Sequence, residues 1–206
     1  MNDVQLGGTR IIPVVALPDA GLALDLGQAL WAGGIRTIEI TLRTPAALAA
    51  IATLAEQSDL LVGAGTVLTA EQVELAVEAG AKYILSPGFS STVVRRCQEV
   101  GVPVIPGIAT ATELQAALEA GVTTVKFFPA EQLGGPAGIR ALSGPFGQVK
   151  FVPTGGVSLA NLAGYLAEPA VLAVGASWLA APDLLTSGDF AEITRRSAAA
   201  VELAAR

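Results

Sequence analysis

Thr110-Ala111-Thr112-Glu113-Leu114-Gln115-Ala116-Ala117-Leu118-Glu119-Ala120-Gly121-Val122-Thr123-Thr124-Val125-Lys126-Phe127-Phe128 holds one complete helix-to-strand unit of this chain. Thr110 with Glu113 three residues later has the form of a capping box, in which two side chains satisfy N–H groups that the first helical turn leaves orphaned. Leu114, Ala117 and Leu118 recur at three-and-four spacing and so share one helical face. Glu119-Ala120-Gly121-Val122 then stops the helix, glycine taking the left-handed backbone that a C-terminus needs. A strand rich in β-branched and aromatic residues follows, interrupted by one cation, Lys126.

The same unit recurs along the chain. Eight apolar runs are centred on Val14, Ile38, Val62, Ile84, Val104, Val125, Val152 and Val174, 20 to 27 residues apart. Helix stops of the same kind stand at Ala32-Gly33-Gly34-Ile35, Glu78-Ala79-Gly80-Ala81 and Glu99-Val100-Gly101-Val102. Thr69-x-x-Gln72 reads as a second capping box, Thr44 before Pro45 as a further cap, and Val73, Ala76 and Val77 as another apolar face. Strands buried on both faces and joined by helical crossovers make an α/β fold, either closed into a barrel or left as an open doubly wound sheet. Eight near-equal units favour closure, so the expectation is a single-domain, eight-stranded parallel (β/α) TIM barrel over residues 1–206. The last helix is expected over about Asp189 to Arg206, with Ile193, Ala200, Val201 and Leu203 facing inward.

Composition narrows the function. Apolar residues make up 52% of the chain and charged ones 15%, too little charge to cover a monomer easily, which points to a homo-oligomer. A net charge of -6 without a Lys/Arg cluster argues against nucleic acid and anionic membranes as partners and leaves a small molecule. There is no apolar run of bilayer-spanning length, no secretory pattern, and one cysteine, so the expected location is the cytoplasm. His is absent, which removes imidazole acid–base chemistry and His-based triads; a general base must be a carboxylate or an amine.

In a barrel of this kind, functional groups gather at the carboxyl ends of the strands. Alternation puts Lys126 on one face with Thr124 and Phe128, where desolvation favours the neutral, nucleophilic amine; an ion pair kept for structure is the alternative. In Thr37-Ile38-Glu39-Ile40-Thr41-Leu42-Arg43, Glu39, Thr41 and Arg43 share a face opposite Ile38 and Ile40. Glu39 can shuttle protons and Arg43 can grip a carboxylate, or the acid can merely neutralise a neighbouring cation. Gly63-Ala64-Gly65-Thr66 either leaves room for a ligand or marks close packing. Pro153-Thr154-Gly155-Gly156 and Gly175-Ala176-Ser177 follow the seventh and eighth runs, where these barrels usually bind phosphate. Ser86-Pro87-Gly88 reads as a turn at the rim, and Cys97, between Val93, Val94 and Val100, as core.

Six motifs in order, Glu39-Ile40-Thr41-Leu42-Arg43, Gly63 to Leu68, Ser86-Pro87-Gly88, Pro106-Gly107-Ile108, Lys126 to Glu131 and Pro153 to Gly156, give the chain a resemblance to the 2-keto-3-deoxy-6-phosphogluconate (KDPG) and 4-hydroxy-2-oxoglutarate (KHG) aldolases. The resemblance implies a class I aldolase with no metal or organic cofactor. It implies Lys126 as the Schiff-base lysine, Glu39 as general acid/base, Arg43 and Thr66 on the substrate carboxylate, and Pro87 and Phe128 lining the pyruvyl pocket. Thr154, Gly155, Gly156 and Ser177 would hold the distal hydroxyls and phosphate, in a homotrimer. Gly175-Ala176-Ser177 departs from the frequent Gly-Gly-Ser, and Ala16-Leu17-Pro18-Asp19 lacks a frequent basic residue, so the two substrates remain to be weighed. The related phosphogalactonate aldolases, a phosphosugar isomerase or synthase on the same barrel, and a non-enzymatic oligomeric scaffold are the rival readings.

Overall fold

Alternation decides which side of each strand meets a helix. In a computed structural model, which describes Leu6 and residues 8–205, Ile11, Ile84, Val104, Phe151 and Val174 join the large apolar cluster shared with the helices. Their chain neighbours Ile12, Tyr83, Leu85, Ile105, Val152 and Ala173 form a second cluster on the opposite face, with Leu6 packed among them. Both faces of the strands are therefore buried, as parallel sheets covered by helices require.

The strands are β1 (Ile11–Val15), β2 (Thr37–Thr41), β3 (Leu61–Gly65), β4 (Tyr83–Leu85), β5 (Val104–Ile105), β6 (Gly107–Ile108), β7 (Thr124–Phe127), β8 (Lys150–Pro153) and β9 (Val174–Ala176). The helices are α1 (Ala23–Ala32), α2 (Ala47–Gln57), α3 (Ala70–Glu78), α4 (Ser91–Val100), α5 (Ala111–Glu119), α6 (Gly135–Ser143), α7 (Leu162–Leu166), α8 (Pro182–Ser187) and α9 (Phe190–Ala204). All pairings are parallel, in a curled six-stranded sheet of order β5-β4-β3-β2-β1-β9 and a three-stranded sheet of order β6-β7-β8. Pro106 separates β5 from β6, and isolated bridges join Phe151 to Val171 and Thr154 to Gly175. The eight predicted run centres each lie in a strand. Among the described residues no helix is long and apolar enough to cross a membrane.

Helix ends follow local chemistry with two corrections. Gly34, Gly80, Gly101 and Gly121 all have positive φ, and the Thr110–Glu113 capping box is complete. Thr69 accepts from the Gln72 N–H, but the Gln72 side chain accepts from Leu68 instead of Thr69, so only half of that box forms. Thr44 caps nothing: its hydroxyl donates to the Leu17 carbonyl at 2.7 Å, and α2 starts at Ala47. The last unit carries two helices, α8 and α9, where one was expected. Asp189 caps α9 by accepting from the Glu192 N–H, Ile193 and Ala200 are buried, Val201 and Leu203 pack against the core, and Arg206 lies outside the described residues.

Candidate active site

Two strands from different sheets meet at the centre of the site. β7 carries Lys126 and β2 carries Glu39, and the Lys126 ammonium lies 2.9 Å from Glu39 Oε1 and 3.3 Å from Oε2. Their side chains are 7% and 1% exposed, so water screens the pair little. Phe128, one alternation further, has its ring centroid 5.8 Å from the Lys126 nitrogen, within cation–π reach.

The small residues around this pair belong to the chain's own packing. A Cβ on Gly65 would stand 2.0 Å from Glu39 Oε1, so only glycine admits the carboxylate in its observed position. A Cβ on Gly63 would stand 2.3 Å from the Tyr83 ring. Tyr83 bonds with the Thr37 hydroxyl at 2.8 Å and donates to the Ile38 carbonyl at 3.2 Å. Burial pushes its phenol far up, against the lowering effect of the Thr37 bond, and the Glu39 charge adds to the rise. Of the two readings of Gly63-Ala64-Gly65, close packing is the one observed: the space holds Tyr83 and Glu39. Gly107, in register with Lys126, has no Cβ to clash with the Pro87 carbonyl, which would lie 2.1 Å from it; this places Pro87 against β6, the strand that pairs with the lysine strand.

Thr66, the residue after β3, has φ 56, the one positive φ among the described residues other than glycine. A β-branched residue in this region stores about 1–3 kcal/mol, and such strain concentrates at functional sites. Arg43 corrects the alternation reading, because β2 ends at Thr41 and Arg43 sits exposed in the following turn, its N–H on the Thr41 carbonyl. A turn replaces the pleat, so period two no longer assigns its face. That turn is tied to β3 by the Leu42 N–H on the Gly65 carbonyl, and β3's end is tied to Leu85 through Val67.

After β8, Thr154 is buried and covers Gly175, whose Cβ would lie 2.2 Å from the Thr154 hydroxyl oxygen. Gly155 and Gly156 both have positive φ, and a Cβ on Gly155 would rest 3.4 Å from the Phe128 ring. Ser177 is exposed in the turn after β9. Lys126, Glu39, Phe128, Pro87, Thr154 and Gly155 are thus in one neighbourhood, with Thr66, Arg43, Gly156 and Ser177 in the loops beside it. Cys97 is fully buried among core residues, and burial pushes its thiol up to about 12.

The arrangement missed from sequence is a second acid. The Tyr165 hydroxyl of α7 donates to Glu131, whose side chain crosses Gly156. Glu131 stood at the end of the lysine motif without a role, and nothing local marked Tyr165 as its partner.

A family model described as KDPG and KHG aldolase matches residues 3–196. A 2-dehydro-3-deoxy-phosphogluconate aldolase of Treponema pallidum is 52% identical over 91% of this chain and 90% of its own length. A KHG/KDPG aldolase of Escherichia coli is 43% identical over 93% and 91%. A crystal structure of KDPG aldolase from Legionella pneumophila, with pyruvate captured as a covalent carbinolamine intermediate, is 39% identical, covers 96% of this chain and 98% of that one, and superposes with a TM-score of 0.92.

Proposed function

The chain belongs to the KDPG and KHG aldolase family, and from that membership we propose that Lys126 and Glu39 carry out a class I aldol cleavage. The reaction is that of an aldehyde-lyase: KDPG yields pyruvate and glyceraldehyde 3-phosphate, and 4-hydroxy-2-oxoglutarate yields pyruvate and glyoxylate. The observation that carries the residue roles is the 2.9 Å contact between a buried amine and a buried carboxylate.

Lys126 passes a proton to Glu39 and its nitrogen attacks the C2 ketone, forming a carbinolamine; Glu39 returns that proton to the departing hydroxyl, so that water leaves, a protonated imine remains and the carboxylate is free again. Glu39 then takes the C4 hydroxyl proton. The C3–C4 electron pair moves into the iminium, the aldehyde leaves, and an enamine of pyruvate remains. Protonation at C3 and hydrolysis free pyruvate and restore the amine. Arg43 and Thr66 hold the substrate carboxylate, Pro87 and Phe128 enclose the pyruvyl group, and Thr154, Gly155, Gly156 and Ser177 receive the distal hydroxyls and phosphate. Support for the distal assignment is the position of these residues in the loops after β8 and β9 and the open backbone at two positive-φ glycines.

The same reading takes β5, Pro106 and β6 as one strand of an eight-stranded barrel, spanning the chain as a single domain, with the two isolated bridges at the β8–β9 seam. Lys126 N–H donating to the Pro106 carbonyl, and the bridges themselves, support it. It also takes the protein as a cytoplasmic homotrimer; exposed Leu68, Leu75 and Leu159 supply apolar surface for it. Sedimentation equilibrium should give about three times the 20.8 kDa of one chain, and a monomer would remove the trimer.

The test is borohydride reduction in the presence of pyruvate, followed by peptide mass spectrometry. The added pyruvyl mass is expected on Lys126 and absent from Lys126→Ala; labelling of that variant at the parent's rate overturns the assignment.

A further inference from the structure

We infer that Glu131 and Tyr165 form a positioning clamp for the loop Thr154–Gly156, and that this clamp sets the preference for the phosphorylated substrate over the shorter 4-hydroxy-2-oxoglutarate. The inference rests on the aldolase reading above and deepens it.

Glu131 follows β7 and lies at the junction of three pieces of chain. The N–H groups of Ala130 and Glu131 donate to the carbonyls of Thr154 (2.8 Å) and Gly155 (3.1 Å), so the segment leaving the lysine strand runs beside the segment leaving β8. The Glu131 side chain then crosses Gly156, where a Cβ would stand 2.4 Å from Glu131 Cγ. Its carboxylate accepts from the hydroxyl of Tyr165, a fully buried side chain on α7. The loop is thus held from its start by backbone bonds and across its second glycine by a side chain anchored in the core.

Consecutive residues at positive φ with no side chains have no anchor of their own and the most conformational freedom to lose, so their placement depends on neighbours. A charge-assisted bond to a buried phenol is a strong anchor of that kind, and leaving the phenol without an acceptor is costly. Burial first, and then the bond to Glu131, pushes the Tyr165 phenol up, which keeps it a donor. Neither side chain is hydrogen-bonded to Lys126 or Glu39, so the clamp acts on the end of the site remote from bond cleavage.

Kinetics on both substrates, with Tyr165→Phe, Glu131→Gln and Glu131→Ala, test this. For Tyr165→Phe, KM for KDPG should rise about tenfold with kcat within about twofold, while both constants for 4-hydroxy-2-oxoglutarate stay within about twofold. Glu131→Gln, which keeps an acceptor, should lose less than Glu131→Ala. Hydrogen exchange should quicken over residues 152–158 in Tyr165→Phe, whose exchange elsewhere should match the parent. Equal losses on both substrates, or unchanged KM values with unchanged loop exchange, overturn the inference. A parent that fails pyruvate trapping sinks the aldolase reading and the substrate preference with it. The clamp is then decided by exchange alone, and an unchanged loop in Tyr165→Phe removes it too.

Discussion

Two groups of opposite charges in this molecule use the same chemistry to different ends. On α9, Glu192 takes hydrogen bonds from Arg195 at 2.6 and 2.7 Å and from Arg196 at 2.8 Å, at the protein surface. Those bonds hold its carboxyl down at about 2. In the interior, Glu39 faces one amine, Lys126, at similar distance. The surface group is solvated whether or not its partners are present, and water screens what it gains. The interior pair exchanged hydration for a single partner, an arrangement that seldom outperforms apolar side chains of the same volume as a source of stability. A shared proton is what the interior pair can offer and an apolar pair cannot.

The contrast is most easily broken by Glu39→Gln. It should lower kcat by about 10²–10⁴-fold and slow, without abolishing, pyruvate trapping on Lys126. Retention of full kcat would reduce Glu39 to a counter-ion like those on α9. In stability, Lys126→Met alone strands a buried carboxylate and should cost about 3–5 kcal/mol in urea unfolding, while Lys126→Met combined with Glu39→Leu should recover or exceed the parent. A single variant as stable as the double would mean that the interior carboxylate is solvated after all.

A smaller effect isolates geometry. Gly65→Ala places a Cβ 2.0 Å from the observed Glu39 oxygen, so the carboxylate must move. A displacement of about 1 Å should lower kcat about 100-fold while Lys126 still traps pyruvate. Unchanged kcat would show that the proton path does not need Glu39 in its observed position.

The smallest effect belongs to α9. Glu192→Gln should shift the thermal midpoint at pH 7 by less than about 2 °C. The sign follows from a carboxyl held below its ordinary 4.5: its contribution is complete above that value and disappears as pH falls towards about 2. The difference between parent and variant should therefore narrow across that window in acid titration followed by circular dichroism. A large midpoint shift at pH 7 would erase the distinction between the two groups.

Much of the architecture could be read locally. Glycine at a helix stop, a threonine three residues ahead of a glutamate, and apolar residues at three-and-four spacing are decided within one or two turns of chain, and Gly34, Gly80, Gly101, Gly121 and the Thr110 box behave accordingly. Readings failed where another group competed or a turn intervened. The Thr44 hydroxyl finds the Leu17 carbonyl, 27 residues away, in place of its own helix, and Arg43 leaves the pleat because a turn begins after Thr41. Gly63 and Gly65 looked like open space for a ligand or close packing; choosing between them required knowing where Tyr83 and Glu39 point.

Period-two alternation along β2 and β7 was enough to select Glu39 and Lys126 as chemical groups on an inner face, since pleating is a property of each strand alone. Their meeting was not legible in that way, because 87 residues and two sheets separate them, and no local rule sets the distance across a curled sheet. The curl brings the two charges together, and Gly65 on the neighbouring strand admits the Glu39 carboxylate. The hold on the Gly155–Gly156 loop likewise arises from a tyrosine 34 residues beyond its acid, brought there by packing of α7 against the rest of the fold.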